Sequence, residues 1–232
     1  MKVSIFKSKY SLVLLAFCGS MATSAYGFGG FYAGADLGLG YSSSEHDYSD
    51  LTGKGKTNET AFGAVYGGHA GYLYEIGTSK TIVGGEIYGN IASMNPTYKF
   101  GVDNLPVQGE VKIKRSNAIG LGLIAGKMFN IKTMVYGKMA FERATFDYEY
   151  KFRPTSILVQ YRGKTVKRSI TEMGPVIGLG LAYKPTRMFI VGAEYQFGGA
   201  FPKKKVFNEA NIVTEFSPVE HRLLLKVSFA FG

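Results

Sequence analysis

From Phe31 to Tyr41 every second residue is apolar: Phe31, Ala33, Ala35, Leu37, Leu39 and Tyr41. Between them stand Tyr32, Gly34, Asp36, Gly38 and Gly40. Side chains of a strand alternate between its faces, so one face here is wholly apolar and the other small or polar. A sheet covering a soluble core would set long charged residues on its wet side, but this side is mostly glycine. A barrel with lipid outside and a tight lumen inside accounts for both faces.

The same two-residue beat returns along the chain and predicts eight strands. The second sets Phe62, Ala64, Tyr66, Ala70 and Tyr72 on one face, and the third, Thr81 to Ser93, points Glu86, Tyr88 and Asn90 inward. The fourth, about Val111 to Lys127, places Ile119, Leu121, Leu123 and Ala125 outward. The fifth, Met134 to Tyr148, places Val135, Met139 and Phe141 outward and Tyr136, Lys138, Ala140 and Glu142 inward. The sixth, Ile170 to Tyr183, contains Pro175, which argues for an irregular strand or a bulge because proline cannot donate to a ladder. The seventh, Met188 to Phe197, turns Glu194 and Gln196 inward, and the eighth turns Arg222, Lys226, Ser228 and Ala230 inward.

The connections alternate in length. Residues 42–60, 94–110, a stretch broken by Arg153-Pro154, and 198–218 read as long loops; Glu75 to Lys80, Asn130 and Lys184-Pro185-Thr186 read as tight turns. That asymmetry predicts an outer-membrane barrel with both termini in the periplasm and its long loops outside. A small hairpin, Ile157 to Tyr161 turning at Arg162-Gly163, would raise the strand number to ten, but its pieces are too short and charged to span.

The first 25 residues have a different character. Lys2, Lys7 and Lys9 precede the apolar run Leu12 to Phe17, and Ala22-Thr23-Ser24-Ala25 supplies a small-residue exit. This predicts a secretory signal over 1–25 cleaved after Ala25, leaving one barrel domain over 26–232. Cys18, the single cysteine, lies inside that segment behind Phe17, so neither lipidation nor a disulfide is expected. Removing 1–25 takes away three lysines and no acids, and the net charge falls from +10 to +7. No later stretch is long enough for a membrane helix, and the 16 Tyr and 17 Phe can form interfacial girdles in a chain without Trp.

Several segments carry a resemblance. Phe31-Tyr32-Ala33-Gly34-Ala35-Asp36-Leu37-Gly38, Gly84-Gly85-Glu86-Ile87, Gly174-Pro175-Val176-Ile177-Gly178-Leu179-Gly180, Ala193-Glu194-Tyr195-Gln196-Phe197 and Val227-Ser228-Phe229-Ala230-Phe231-Gly232 resemble strands of the outer-membrane protein A transmembrane domain and of the small opacity-type surface antigens. The resemblance spans essentially the whole chain after the leader. It implies an all-β, eight-stranded antiparallel up-and-down transmembrane barrel in the outer membrane of a Gram-negative bacterium, with a role among envelope integrity, adhesion and immune recognition. Two departures are expected: no peptidoglycan-binding domain follows the eighth strand, and Gly232 follows the terminal aromatic Phe231.

Two groups of residues are candidates for function. Asp36, His69, Glu86, Lys138, Glu142, Glu194 and Lys226 fall on inward positions, where charges persist by pairing. Lys226 is expected to meet Asp36 or Glu194, and Glu86 to approach Lys138 across the lumen. The bland reading is a lumen-filling network; the sharper one is a gated pore. The second group is basic: Lys112, Lys114 and Arg115 at the top of the fourth strand, Arg153, Arg162, Lys164, Lys167 and Arg168 in the third connection, and Lys203, Lys204 and Lys205 in the fourth. It is either an ordinary solvated surface or a surface for anionic partners, such as lipopolysaccharide beside the barrel or host-cell glycans or proteins above it.

Other chemistry finds no support in the spacing. His46, His69 and His221 have no metal-ligand spacing, the glycines follow the strand beat rather than a phosphate loop, and His221 has no serine in phase. The sequence therefore predicts a monomeric, non-enzymatic surface protein without cofactors or nucleic-acid partners, an adhesin or surface antigen, with a porin or small-solute channel as the alternative.

Overall fold

In hydrocarbon an open sheet edge would leave its N–H and C=O groups without partners, so alternating strands are stable there only when the sheet closes on itself. The computed structural model describes residues 27–50, 53–94, 97–100, 109–152, 163–199, 204–209 and 212–231. Eight long strands form the ring: β1 (Gly30–Asp50), β2 (Gly53–Ile76), β3 (Thr81–Ala92), β5 (Gly109–Asn130), β6 (Thr133–Phe152), β7 (Thr165–Tyr183), β8 (Phe189–Gly198) and β10 (Ile212–Phe231). Each pairs antiparallel with its neighbours, and β1 pairs with β10 from Phe31↔Phe231 to Ser49↔Val213, which closes the barrel. Two short strands, β4 (Thr97–Phe100) on β5 and β9 (Lys204–Glu209) on β10, lie off the ring at its upper end. No described helix is long and apolar enough to cross a membrane. The expected signal segment lies outside the described residues, as does most of the hairpin expected around residue 157.

The upper half of the molecule corrects the loop expectations. Residues 42–60 are not one long loop: β1 and β2 continue in register through Ser42↔Ala61 to Asp50↔Gly53. Residues 94–110 contain β4, and 198–218 contain β9 and the start of β10. Pro175 introduces no bulge on the β6 side, where Phe141 pairs with it in unbroken register, and the ladder to β8 begins one residue later at Val176.

Strand β6 shows where the lipid layer ends. Its even residues, from Tyr136 to Tyr150, point inward and are buried throughout. Its odd residues change character: Val135, Met139 and Phe141 are exposed and apolar, whereas Arg143, Thr145, Asp147, Glu149 and Lys151 are polar. An outward Arg at the bilayer midplane would cost about 2–4 kcal/mol, falling to near zero at the interface, so Arg143 marks the upper border. Above it the polarity inverts. Val111, Ile113, Phe146, Tyr148 and Tyr150 now fill the inside, as in a soluble domain. Burial there pushes the Tyr150 hydroxyl pKa up, and Arg168 pulls it partly back.

Aromatic side chains bracket the lipid-facing belt. At the lower end Phe31 packs on Tyr72 and Phe229 on both Phe189 and Phe231, with ring centroids 4.7–5.7 Å apart. At the upper end Tyr41, Tyr195 and Phe197 surround His221, whose Nδ1 lies 2.6 Å from the Tyr195 hydroxyl. These rings occupy the interface positions that Trp and Tyr favour elsewhere.

Candidate functional site

The inward glycines are seats for large side chains. Tyr32 faces Gly71, Tyr88 faces Gly120, and Tyr136 faces Gly180 in cross-strand register. A Cβ on any of these glycines would overlap the opposing tyrosine ring. Charged residues follow the same rule: Glu86 faces Gly122, Lys138 faces Gly178, Glu194 faces Gly180 and Lys226 faces Gly192. A barrel of eight strands has an interior that side chains can just fill, and pairing each long one with a glycine lets it reach the axis.

All seven residues expected in the lumen are buried there. Four of them make a closed ring of alternating charge. Lys138 Nζ donates to Glu86 Oε1 at 2.7 Å and to Glu194 Oε1 at 3.0 Å. Lys226 Nζ donates to Glu86 Oε2 at 2.9 Å and to Glu194 Oε2 at 3.2 Å. Each charge has two opposite partners, and the ring sums to zero. Tyr32 and Tyr136 donate their hydroxyls to Glu86 and Glu194, at 2.9 and 2.6 Å, and Lys138 sits 4.0 Å from the Tyr88 ring centroid. Such satisfaction is what allows charges to remain in a dehydrated interior.

Glu142 belongs to a second layer nearer the upper end. It accepts from Arg115 Nη2 at 2.8 Å and from Arg222 Nη1 at 2.7 Å. Arg115 also donates to Asn90 Oδ1 at 2.6 Å and lies 3.1 Å from Glu220 Oε1. Arg115 therefore does not belong to the basic outer surface where the sequence placed it. A β-bulge at Ser116, where the register steps from Arg115↔Phe146 to Asn117↔Thr145, shifts the phase by one residue and turns Arg115 inward. Arg222 is inward in the sequence pattern, but its role with Glu142 is visible only once β6 and β10 face each other across the lumen.

The remaining pair lies in a hydrogen-bonded chain. Asp36 Oδ1 is 2.8 Å from His69 Nδ1, and His69 Nε2 is 2.7 Å from Ser228 Oγ. Asp36, although paired in register with Lys226, turns to His69. The order acid, imidazole, hydroxyl is that of a nucleophile with its base and orienting acid, on three adjacent strands. Spacing along the sequence could not reveal it, because β1, β2 and β10 meet only when the barrel closes. The cavity that Ser228 lines measures about 30 Å³, room for a water and not for an acyl substrate. The chain holds three strands together at this level. Among the described residues no group of three or more His, Cys, Asp or Glu side chains is arranged to hold a metal ion.

Below the ring the lumen has an apolar floor. Phe28, 2% exposed, enters the barrel mouth and packs with Leu73, Ile82, Ile124, Met134 and Ile190. Lys184 Nζ donates to the Gly27 carbonyl at 2.5 Å and fixes the segment from the β7–β8 turn, and burial holds the Lys184 pKa below its ordinary value. Gly30, with φ +124°, turns the chain from the floor into β1.

The basic residues are dispersed. Lys112 and Lys114 of β5 and Lys167 of β7 are exposed on the outward face of the extension, flanking Asp147 and Glu149 of β6: Lys112 faces Glu149, Glu149 faces Lys167, and Lys114 faces Asp147. Lys164 and Arg168 are exposed at the upper end. Arg153, Arg162 and Lys203 lie outside the described residues, and of Lys204 and Lys205 only the backbone, in β9, is described. The sequence reading missed the two acids because it counted charges along the chain rather than across strands.

Three comparisons bear on this barrel. A family model described as the outer membrane protein beta-barrel domain matches residues 10–216. No curated protein matches the chain. Among solved structures, Ail, the attachment invasion locus protein of Yersinia pestis, is 15% identical with a TM-score of 0.37, covering 88% of this chain and 100% of that one. Neisserial surface protein A (NspA) is 15% identical with a TM-score of 0.39, covering 87% and 97%. The P. putida toluene transporter TodX is 9% identical with a TM-score of 0.22, covering 87% and 90%.

Proposed function

Since the chain belongs to the outer membrane protein β-barrel domain family and resides in the outer membrane of a Gram-negative bacterium, we propose that it is a closed, non-enzymatic surface barrel whose work is done on its outside. In this reading it acts as an adhesin or surface antigen, and its exposed cations contact anionic partners. The observation that carries the reading is the filled lumen. Lys138 and Lys226 each bridge Glu86 and Glu194, the Arg115–Glu142–Arg222 layer lies above them, and Phe28 lies below. Solute passage through the axis would need all three layers to open. Meanwhile β5, β6 and β7 rise past the lipid border at Arg143 and present Lys112, Lys114 and Lys167.

The test is binding of the purified barrel to immobilised heparin and to whole cells as salt rises. Exposed charges are screened within about 10 Å at 0.1 M salt, so an electrostatic surface loses binding steeply as salt increases. Variants with Lys164, Lys203, Lys204 and Lys205 changed to Ser should bind less. Unchanged, salt-independent binding would overturn the reading. The channel alternative draws on the same ring as a gate, and conductance separates the two.

A further inference from the structure

Lys112, Lys114, Asp147, Glu149, Lys167 and Ser169 line a cleft of about 470 Å³ on the outward face of β5, β6 and β7. Three features define what it suits. It opens sideways, because these residues continue the phase of the lipid-facing positions below: on β6 the outward series runs Phe141, Arg143, Thr145, Asp147, Glu149. At about 3.4 Å per residue, Arg143 stands roughly 7 Å and Asp147 roughly 20 Å along the strand from Phe141, the last lipid-facing side chain. The cleft thus borders the headgroups of the surrounding leaflet. Its charge is mixed: three ammonium groups and the Arg168 guanidinium stand around two carboxylates, and Ser116 Oγ donates to Asp147 Oδ2. A polysulfated chain would meet repulsion from Asp147 and Glu149, whereas a phosphorylated sugar offers anionic groups to the lysines and hydroxyl donors to the carboxylates.

We infer that this cleft binds the phosphorylated saccharide headgroup of lipopolysaccharide in the same membrane, with Arg143 below it facing the phosphates nearest the acyl chains. The inference rests on the proposed outside role and assigns one partner to one face. Lys112, Lys114 and Lys167 hold phosphate; Asp147 and Glu149 orient the lysines and accept sugar hydroxyls.

The experiment measures lipopolysaccharide bound to the full barrel in phosphatidylcholine nanodiscs, with intact lipopolysaccharide, lipopolysaccharide stripped of its phosphates, and phosphatidylglycerol as separate probes. The Lys112→Ser/Lys114→Ser/Lys167→Ser variant should lose about tenfold in affinity for the intact glycolipid, the loss expected when about 1.4 kcal/mol of charge-assisted bonding is removed. Lys127→Ser/Lys132→Ser at the opposite end should lose none, and heat-modifiable electrophoretic migration verifies that each variant is folded. Equal binding to phosphatidylglycerol, or an unchanged affinity in the triple variant, would overturn the inference. If the triple variant keeps lipopolysaccharide while the loop variants lose heparin, this site is wrong and the broader reading stands; if no variant alters any binding, both fail.

Discussion

Tyr136 of β6 occupies the space beside Gly180 of β7, its hydroxyl donating to Glu194 at 2.6 Å, so the glycine is the seat that brings the phenol to the ion ring. A Cβ at position 180 would overlap the Tyr136 ring. Gly180→Ala is expected to destabilise the barrel by about 1–3 kcal/mol, the usual cost of overpacking. Gly137→Ala on β6, where the nearest atom is 3.9 Å from a Cβ, should cost much less. Urea unfolding in micelles followed by far-UV spectra measures both, and equal losses would contradict the seating.

The alternating ring predicts an asymmetry between removing one charge and removing a pair. Lys138→Ala leaves Glu86 and Glu194 with one cation between them and should destabilise by about 3–5 kcal/mol. Lys138→Met with Glu194→Gln, which takes out one charge of each sign, should recover much of that loss. If the double variant is no more stable than Lys138→Ala, the ring is not a coupled unit.

How much of this could be read from the chain differs residue by residue. Lys138, Glu86 and Glu194 were legible because the two-residue beat puts any inward charge into a confined lumen, where pairing is obligatory. Arg115 was not, because one extra residue at Ser116 reverses the phase and the flanking lysines suggest a basic surface. The extension of β1 and β2 beyond residue 41 was hidden by composition: Ser, Asp and Gly read as loop, yet a strand above the lipid border needs no apolar outward face. Phe28 and the Asp36–His69–Ser228 chain depend on elements that meet only in the closed barrel.

Phe28 closes the lower mouth in the way Leu or Ile closes a core, so Phe28→Ala should cost about 3–5 kcal/mol and expose the cavity beside Ser228. The predicted mature chain has no cysteine of its own, so Ile190→Cys reports access directly. In an otherwise native barrel it should resist water-soluble maleimide from the periplasmic side, and in the Phe28→Ala background it should react. Equal labelling in both would show that Phe28 is not the floor.

The acid, imidazole and hydroxyl around His69 make a sharp case, since their distances match those of a hydrolase. With about 30 Å³ beside it, Ser228 should not react with a fluorophosphonate probe, and Ser228→Ala should lower stability by about 1 kcal/mol while changing no hydrolytic activity. Probe labelling at Ser228 would assign catalysis to the lumen.

The proposed outside role requires a shut axis, and planar-bilayer conductance of the folded barrel reads that directly. A lumen held by Glu86, Lys138, Glu194 and Lys226 between the Arg115–Glu142–Arg222 layer and Phe28 should give no steady current at moderate voltage. Stable unitary steps from the unmodified chain, abolished or enlarged by Lys138→Ala, would mean that the ring is a gate and the protein a channel.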